Sequence, residues 1–240
     1  PEPHYRFEKY NSPQGTRDLN IQFIKQNLVS YPIIVADIAC HYVAYPKYYY
    51  SSDIDMIYSE FYIGELDTSK TKTKRILDFN HKQTYKIPII QSGVNEQYKN
   101  LFKGLTLVDW DRSSNKILVK EKVGSTLEGV YRTYLYVYFL DSKQTKKLSD
   151  IDSKLQKYYL SHEKLNLNNY LYEINPLGFT TDNDDVIAFH LFTFDKDTKE
   201  RFFMGTWVYN VVNNSMKLYS RENPSISVGS NGIVLKRVLD

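Results

Sequence analysis

The sequence predicts a mainly β chain of repeated four-stranded antiparallel meanders, with one or two helical insertions. Three observations predict it. Apolar residues alternate with a period of two along several runs, those runs echo one another roughly 70 residues apart, and the chain is rich in aromatics. The 240 residues include 22 tyrosines, 12 phenylalanines and 2 tryptophans. Such side chains fit the packed, pleated surface of a sheet better than a helix.

Residues 134–140 place Tyr134, Tyr136, Tyr138 and Leu140 on one face and Leu135, Val137 and Phe139 on the other. Both faces are apolar, so the strand is expected to be covered on both sides. Residues 186–194 read the same way, with Ile187, Phe189 and Leu191 opposite Val186, Ala188, Phe192 and Phe194. A third run, 33–45, is broken at Asp37 and His41. The echo begins where Asp109-Trp110-Asp111-Arg112 leads through polar residues into Ile117-Leu118-Val119. In the same register, Gly178-Phe179-Thr180-Thr181 leads into Val186-Ile187-Ala188, and Trp110 aligns with Phe179. Long hairpins follow at 134–148 and 206–218, and an earlier copy is expected at 60–77. The unit of strand, turn, strand and long hairpin then recurs in about three copies between residues 31 and 225.

The best copy carries a resemblance. Trp110-Asp111, a polar turn, Lys116-Ile117-Leu118-Val119, then Leu135-Tyr136-Val137-Tyr138-Phe139-Leu140-Asp141 and Lys146-Lys147-Leu148 resemble a blade of the Tol-type bacterial β-propeller family. The resemblance covers about residues 105–149. It implies a propeller-like arrangement in which each meander is sandwiched between neighbours, and an extracytoplasmic setting, periplasmic or at the cell surface.

The remaining segments organise around this. Residues 1–18, with Pro3, Pro13 and Gly15, read as a polar N-terminal arm, and 19–240 as one β-repeat domain. The chain opens Pro1-Glu2-Pro3 without methionine, as expected after removal of an upstream segment such as a secretory signal. Residues 150–165 space Ile151, Leu155, Tyr158, His162 and Leu165 for a helix, and 19–28 is a weaker helical stretch. Residues 232–239 form a last strand expected to pair with an early one and close the domain.

Composition excludes several function classes. The net charge of +3 does not advertise nucleic acid, and no apolar run is long enough for a membrane-spanning helix. One cysteine, Cys40, allows no internal disulfide and reads as a small buried hydrophobe. The five histidines show no metal-ligand spacing, so neither a metal nor a cofactor is expected, and His190 reads as a core residue. No nucleophile elbow or phosphate-binding glycine loop is present.

The expectation is therefore a non-catalytic binding or assembly module with a protein or glycan partner. Its candidate ligand-binding residues are Tyr45, Tyr48, Tyr49 and Tyr50, the densest aromatic patch. Three consecutive tyrosines cannot all face one side of a strand, so at least one is expected to be exposed. The alternative is a carbohydrate-active hydrolase on a β-propeller, which would need converging carboxylates drawn from Asp37, Glu60, Asp109 and Glu121. The Lys70, Lys72, Lys74 and Arg75 cluster reads as a solvated hairpin tip.

Overall fold

The computed structural model describes residues 3–13, 21–30, 33–80, 88–93, 99–125, 131–195, 197–198, 200–222 and 225–238. Strands β1 (Tyr5–Lys9), β2 (Val29–Ser30), β3 (Val35–Ala36), β4 (Tyr42–Ser51), β5 (Met56–Glu65), β6 (Ile90–Gln91), β7 (Leu101–Trp110), β8 (Lys116–Ser125), β9 (Tyr131–Phe139) and β10 (Gln144–Lys147) belong to one sheet. Strands β11 (Leu171–Phe179), β12 (Val186–Phe194), β13 (Arg201–Asn210) and β14 (Met216–Ser220) form a second, and β15 (Ile233–Arg237) returns to the first. The first sheet runs β1-β15-β3-β4-β5-β7-β8-β9-β10, with β2 on β4 and β6 on β5. Its pairs are antiparallel apart from β5 and β7, which meet in parallel at Ile57 and Phe102. Helices α1 (Ile21–Asn27), α2 (Lys72–Leu77) and α3 (Asp150–Tyr158) complete the regular structure.

The chain is thus mainly β, with helices where 19–28 and 150–165 predict them. In α3, Ile151 and Leu155 face the core; a π-helical turn, Tyr159–Glu163, follows and buries Tyr159 beside them. The turn ends at Lys164 in the left-handed conformation, which stops the helix.

Two cores result. In one, Leu118, Leu135 and Val137 of the first sheet pack against Ile187, Phe189, Trp207 and Tyr209 of the second, with α3 closing the side. In the other, the first sheet folds over itself: Val35, Ala44, Phe61 and Val234 come down on Leu105, Leu107, Trp110, Ile117 and Val119. Strand β9 serves both, Leu135 and Val137 in the first core and Tyr136 and Tyr138 at the edge of the second, as its two apolar faces require. Full burial of each large apolar side chain contributes about 1.5–3 kcal/mol, so these two clusters dominate the stability of the fold.

The echo corresponds to two meanders, β7-β8-β9-β10 and β11-β12-β13-β14, joined through α3. The three-fold, propeller-like arrangement does not follow. Neither sheet closes, and the hairpins at 134–148 and 206–218 lie in different sheets. The expected hairpin at 60–77 is strand β5 followed by helix α2. The reason is local. Arg75 donates to the carbonyls of Thr68, Lys70 and Cys40, holding the segment in a compact turn, while Ile76 and Phe79 pack beside Tyr45 and Tyr62. The Lys70–Arg75 cluster is therefore in and around α2 and not a hairpin tip. Strand β5 then pairs with β6 and β7, which draws the supposed first copy into the same sheet as the second.

The ends are woven in. Within the stretch read as an arm, residues 5–9 form β1, which pairs with β15 from Tyr5–Arg237 to Lys9–Ile233. Tyr10 is buried, and its hydroxyl donates to the Leu107 carbonyl at 2.7 Å. Strand β15 also pairs with β3, the early partner expected of the C-terminal strand.

Trp110 is fully buried, stacked on Tyr42 with ring centroids 6.5 Å apart, and Gly232 passes beside its ring. Trp110→Ala is expected to destabilise the fold by about 3–5 kcal/mol, read as a lower urea midpoint; an unchanged midpoint would contradict this packing.

Candidate functional site

The four candidate tyrosines lie on β4, and a strand sends alternate side chains to opposite faces. Tyr48 and Tyr50 point one way. Tyr48 is buried among Ile24, Ile57 and Phe102, and its hydroxyl donates to the Leu105 carbonyl at 2.6 Å. Tyr50 is half-buried; its hydroxyl donates at 2.9 Å to Asp55, which also pairs with Lys25 at 2.6 Å. Tyr45 and Tyr49 point the other way. Tyr45 is buried, stacked on Tyr62 at 5.8 Å and met edge-on by Phe79. The patch is thus divided, and Tyr45 and Tyr48 are core residues with no surface to offer in this fold.

Tyr49 is half-buried like Tyr50, so none of the four tyrosines is exposed, against expectation; Tyr49 is the member not enclosed in a core cluster on its face. In register it stands between Val29 on β2 and Tyr58 on β5, and the Tyr49 and Tyr58 rings stack at 5.0 Å with planes 9° apart. One step along, Lys47 stands opposite Glu60, and Glu60 opposite Gln91. The Tyr49 hydroxyl donates to Glu60 Oε2 at 2.6 Å, and the Tyr62 hydroxyl donates to the same oxygen. The Lys47 ammonium lies 4.7 Å from the centre of the Tyr49 ring. Burial, then the Glu60 carboxylate beside it, pushes the Tyr49 hydroxyl well above the usual phenol range, so it remains a donor at neutral pH.

Val29, in register with Tyr49, is 43% exposed. At the other end of β4, α2 and Phe79 cover Tyr45 and Tyr62.

The carboxylates are each committed to different partners. Asp37 accepts from the His41 and Tyr42 amides at 2.8 and 2.7 Å and from Ser114 Oγ at 2.8 Å, closing the turn between β3 and β4. Glu121 is buried and meets the Tyr136 hydroxyl at 3.3 Å; burial raises its pKa, against the opposing pull of Lys147 and Lys103. Asp109 accepts from the Asn231 amide at 2.8 Å and the Phe179 amide at 3.1 Å. No group of three or more metal-ligating side chains occurs among the described residues.

His190 is half-buried against Phe192 and Phe203, the latter edge-on at 5.3 Å. Burial, then the Arg201 charge, lowers its pKa, and its Nε2 has no hydrogen-bond partner among the described residues.

No family model matches the chain, and no curated protein matches it. The site therefore rests on its own geometry. Sequence reasoning missed Lys47, Tyr58 and Tyr62 as neighbours of Tyr49. The signal was present, since Tyr58, Glu60 and Tyr62 alternate along residues 56–65 as Tyr45, Lys47 and Tyr49 do along 42–51.

Two outcomes follow from these contacts. Tyr48→Phe keeps the packing and removes one buried hydroxyl; it is expected to cost about 1 kcal/mol in urea denaturation, whereas Tyr48→Ser leaves a cavity and costs about 3–5 kcal/mol. Asp109 has its pKa raised from near 4 to about 6 by burial. The folded state therefore holds its proton more tightly than the unfolded chain. This contribution to stability is complete below about pH 4 and is lost as pH rises through 6, by about 3 kcal/mol in all. Asp109→Asn is expected to flatten that part of the stability profile; an unchanged slope between pH 4 and 6 would refute the assignment.

Proposed function

We propose that this chain is a non-catalytic binding and assembly module of an extracytoplasmic bacterial protein, and that it engages a protein partner through the tyrosine face. The observation that carries the reading is the row Val29–Tyr49–Tyr58 with Lys47 and Glu60 beside it. Tyrosines held rigid by stacking supply contact area at low entropic cost, and aromatic residues concentrate at protein–protein hot spots. Exposed Val29 gives the row an apolar end. A sugar would need a free ring face, whereas the Tyr49 ring stacks on Tyr58 and has Lys47 over it, which favours a protein. The resemblance of residues 105–149 to Tol-type blades supports the bacterial, extracytoplasmic setting.

The test is photo-cross-linking from position 29 in an envelope extract of the source cell, comparing the wild type with Tyr58→Ser and Lys47→Glu. The expected result is one cross-linked species whose yield falls at least about tenfold in both variants, with melting temperatures kept within a few degrees. A yield unchanged by either substitution, or no cross-linked species, would overturn the reading.

A further inference from the structure

The two meanders differ in what covers their corresponding faces. In the first, Ile117 and Val119 are buried beneath Tyr10, Val35 and Val234. The matching residues of the second, Val186 and Ala188, lie on the face of its sheet turned away from α3, Ala188 fully buried and Val186 half-buried. There Val228 bridges to Thr180, and the Thr181 amide donates to the Ser227 carbonyl at 3.1 Å. A groove of about 600 Å³ remains between that crossing segment and β13–β14. Val186, Val208, Met216 and Ile226 supply its apolar lining, and Tyr219, 52% exposed, stands at its side on β14.

The polar lining suits one kind of ligand. Asn210 Oδ1 already accepts from the Val212 and Asn213 amides at 2.9 and 3.0 Å, and Asn183 Oδ1 from the Asp185 amide at 2.8 Å. The carbonyl end of each side chain is therefore used by its own turn, and the amide nitrogen is left to donate. Thr180 Oγ1 donates to the Asn183 carbonyl at 3.1 Å, which leaves its lone pairs to accept. Asp182 and Lys217 are the charged lining residues, one of each sign. We infer that this groove is a binding site for a small neutral polyhydroxyl ligand, a mono- or disaccharide. Hydroxyl groups both donate and accept, so they match a mixed lining of this kind, and a pyranose ring has an apolar face for Tyr219. The volume lies within the range of small-molecule sites. The site is separate from the tyrosine face and does not rest on it.

The test is a titration of the ¹⁵N-labelled protein with glucose, galactose and N-acetylglucosamine, and with cellobiose, lactose and chitobiose. Chemical shifts are followed at the wild type, Tyr219→Ala, Asp182→Ala and Tyr58→Ser. At least one sugar is expected to shift the amides of residues 180–186 and 208–219. Its Kd is expected to rise about tenfold or more in Tyr219→Ala, measurably in Asp182→Ala, and not in Tyr58→Ser. A disaccharide binding more tightly than its monomer would identify a glycan chain as the source, and equal affinity a free sugar. The inference is overturned if no sugar produces these shifts up to about 10 mM, if Kd is the same in Tyr219→Ala, or if the shifts fall on β4 and β5 instead.

Discussion

Asp109 stands at the joint between the two sheets, and its carboxylate is bonded on both sides of it. One oxygen accepts the amide of Phe179 at the end of β11, in the second sheet; the other accepts the amide of Asn231, just before β15 returns to the first. Burial is costly for this group, as its raised pKa records. The bonds to backbone amides repay part of that cost and fix where two distant segments cross β7. Gly178 is required for the same reason. Its φ of +139° suits glycine alone, and a Cβ there would come within 2.7 Å of the Asp109 carboxylate. The side chain of Asn231 adds a bond to the Trp110 carbonyl at 2.9 Å, so the joint and the tryptophan core are built together.

The joint also gives physical meaning to the internal echo. Residues in register between the two meanders meet across the interface. Gly178 packs on Asp109, Arg112 donates to the Thr181 carbonyl 69 residues on, and Lys116 pairs with Asp185 at 3.1 Å. Corresponding strands thus face one another at their turn ends, and corresponding apolar faces share one core. The outer faces part company. The first meander lies beneath the folded-over half of its own sheet, while the second is crossed, among the described residues, by the segment of Ser227 and Val228. Similar strand patterns therefore yield a closed core in one place and an open groove in the other.

On β4 the same two-sidedness divides the tyrosines. A strand with α1 and the β7 backbone on one side and α2 on the other has little exposed area left, and Tyr49, with Tyr58 from the next strand, occupies what remains. The shared carboxylate of Glu60 accepts from the hydroxyls of both Tyr49 and Tyr62, which holds the rings in fixed positions. Such preorganisation lowers the entropic cost of association.

Much of the local structure was legible in the sequence by itself. The period of two in 134–140 and 186–194 marked β9 and β12, the helical spacing of Ile151 and Leu155 marked α3, and the alignment of Trp110 with Phe179 marked the two meanders. Those signals are set by backbone geometry and by which side chains must leave water, both of which act over a few residues. The tertiary structure alone decided the rest. Residues 72–77 became a helix because Arg75 found carbonyls on two loops, and the supposed first copy vanished into the first sheet because β5 paired in parallel with β7. Cys40, one of the Arg75 partners, and β7 both lie far off in the chain. The tyrosines from 45 to 50 likewise carry no mark distinguishing core from surface, because burial depends on what packs above each face. Only the placement of α1, α2 and Phe79 made Tyr45 and Tyr48 core and left Tyr49 half-buried beside Tyr58.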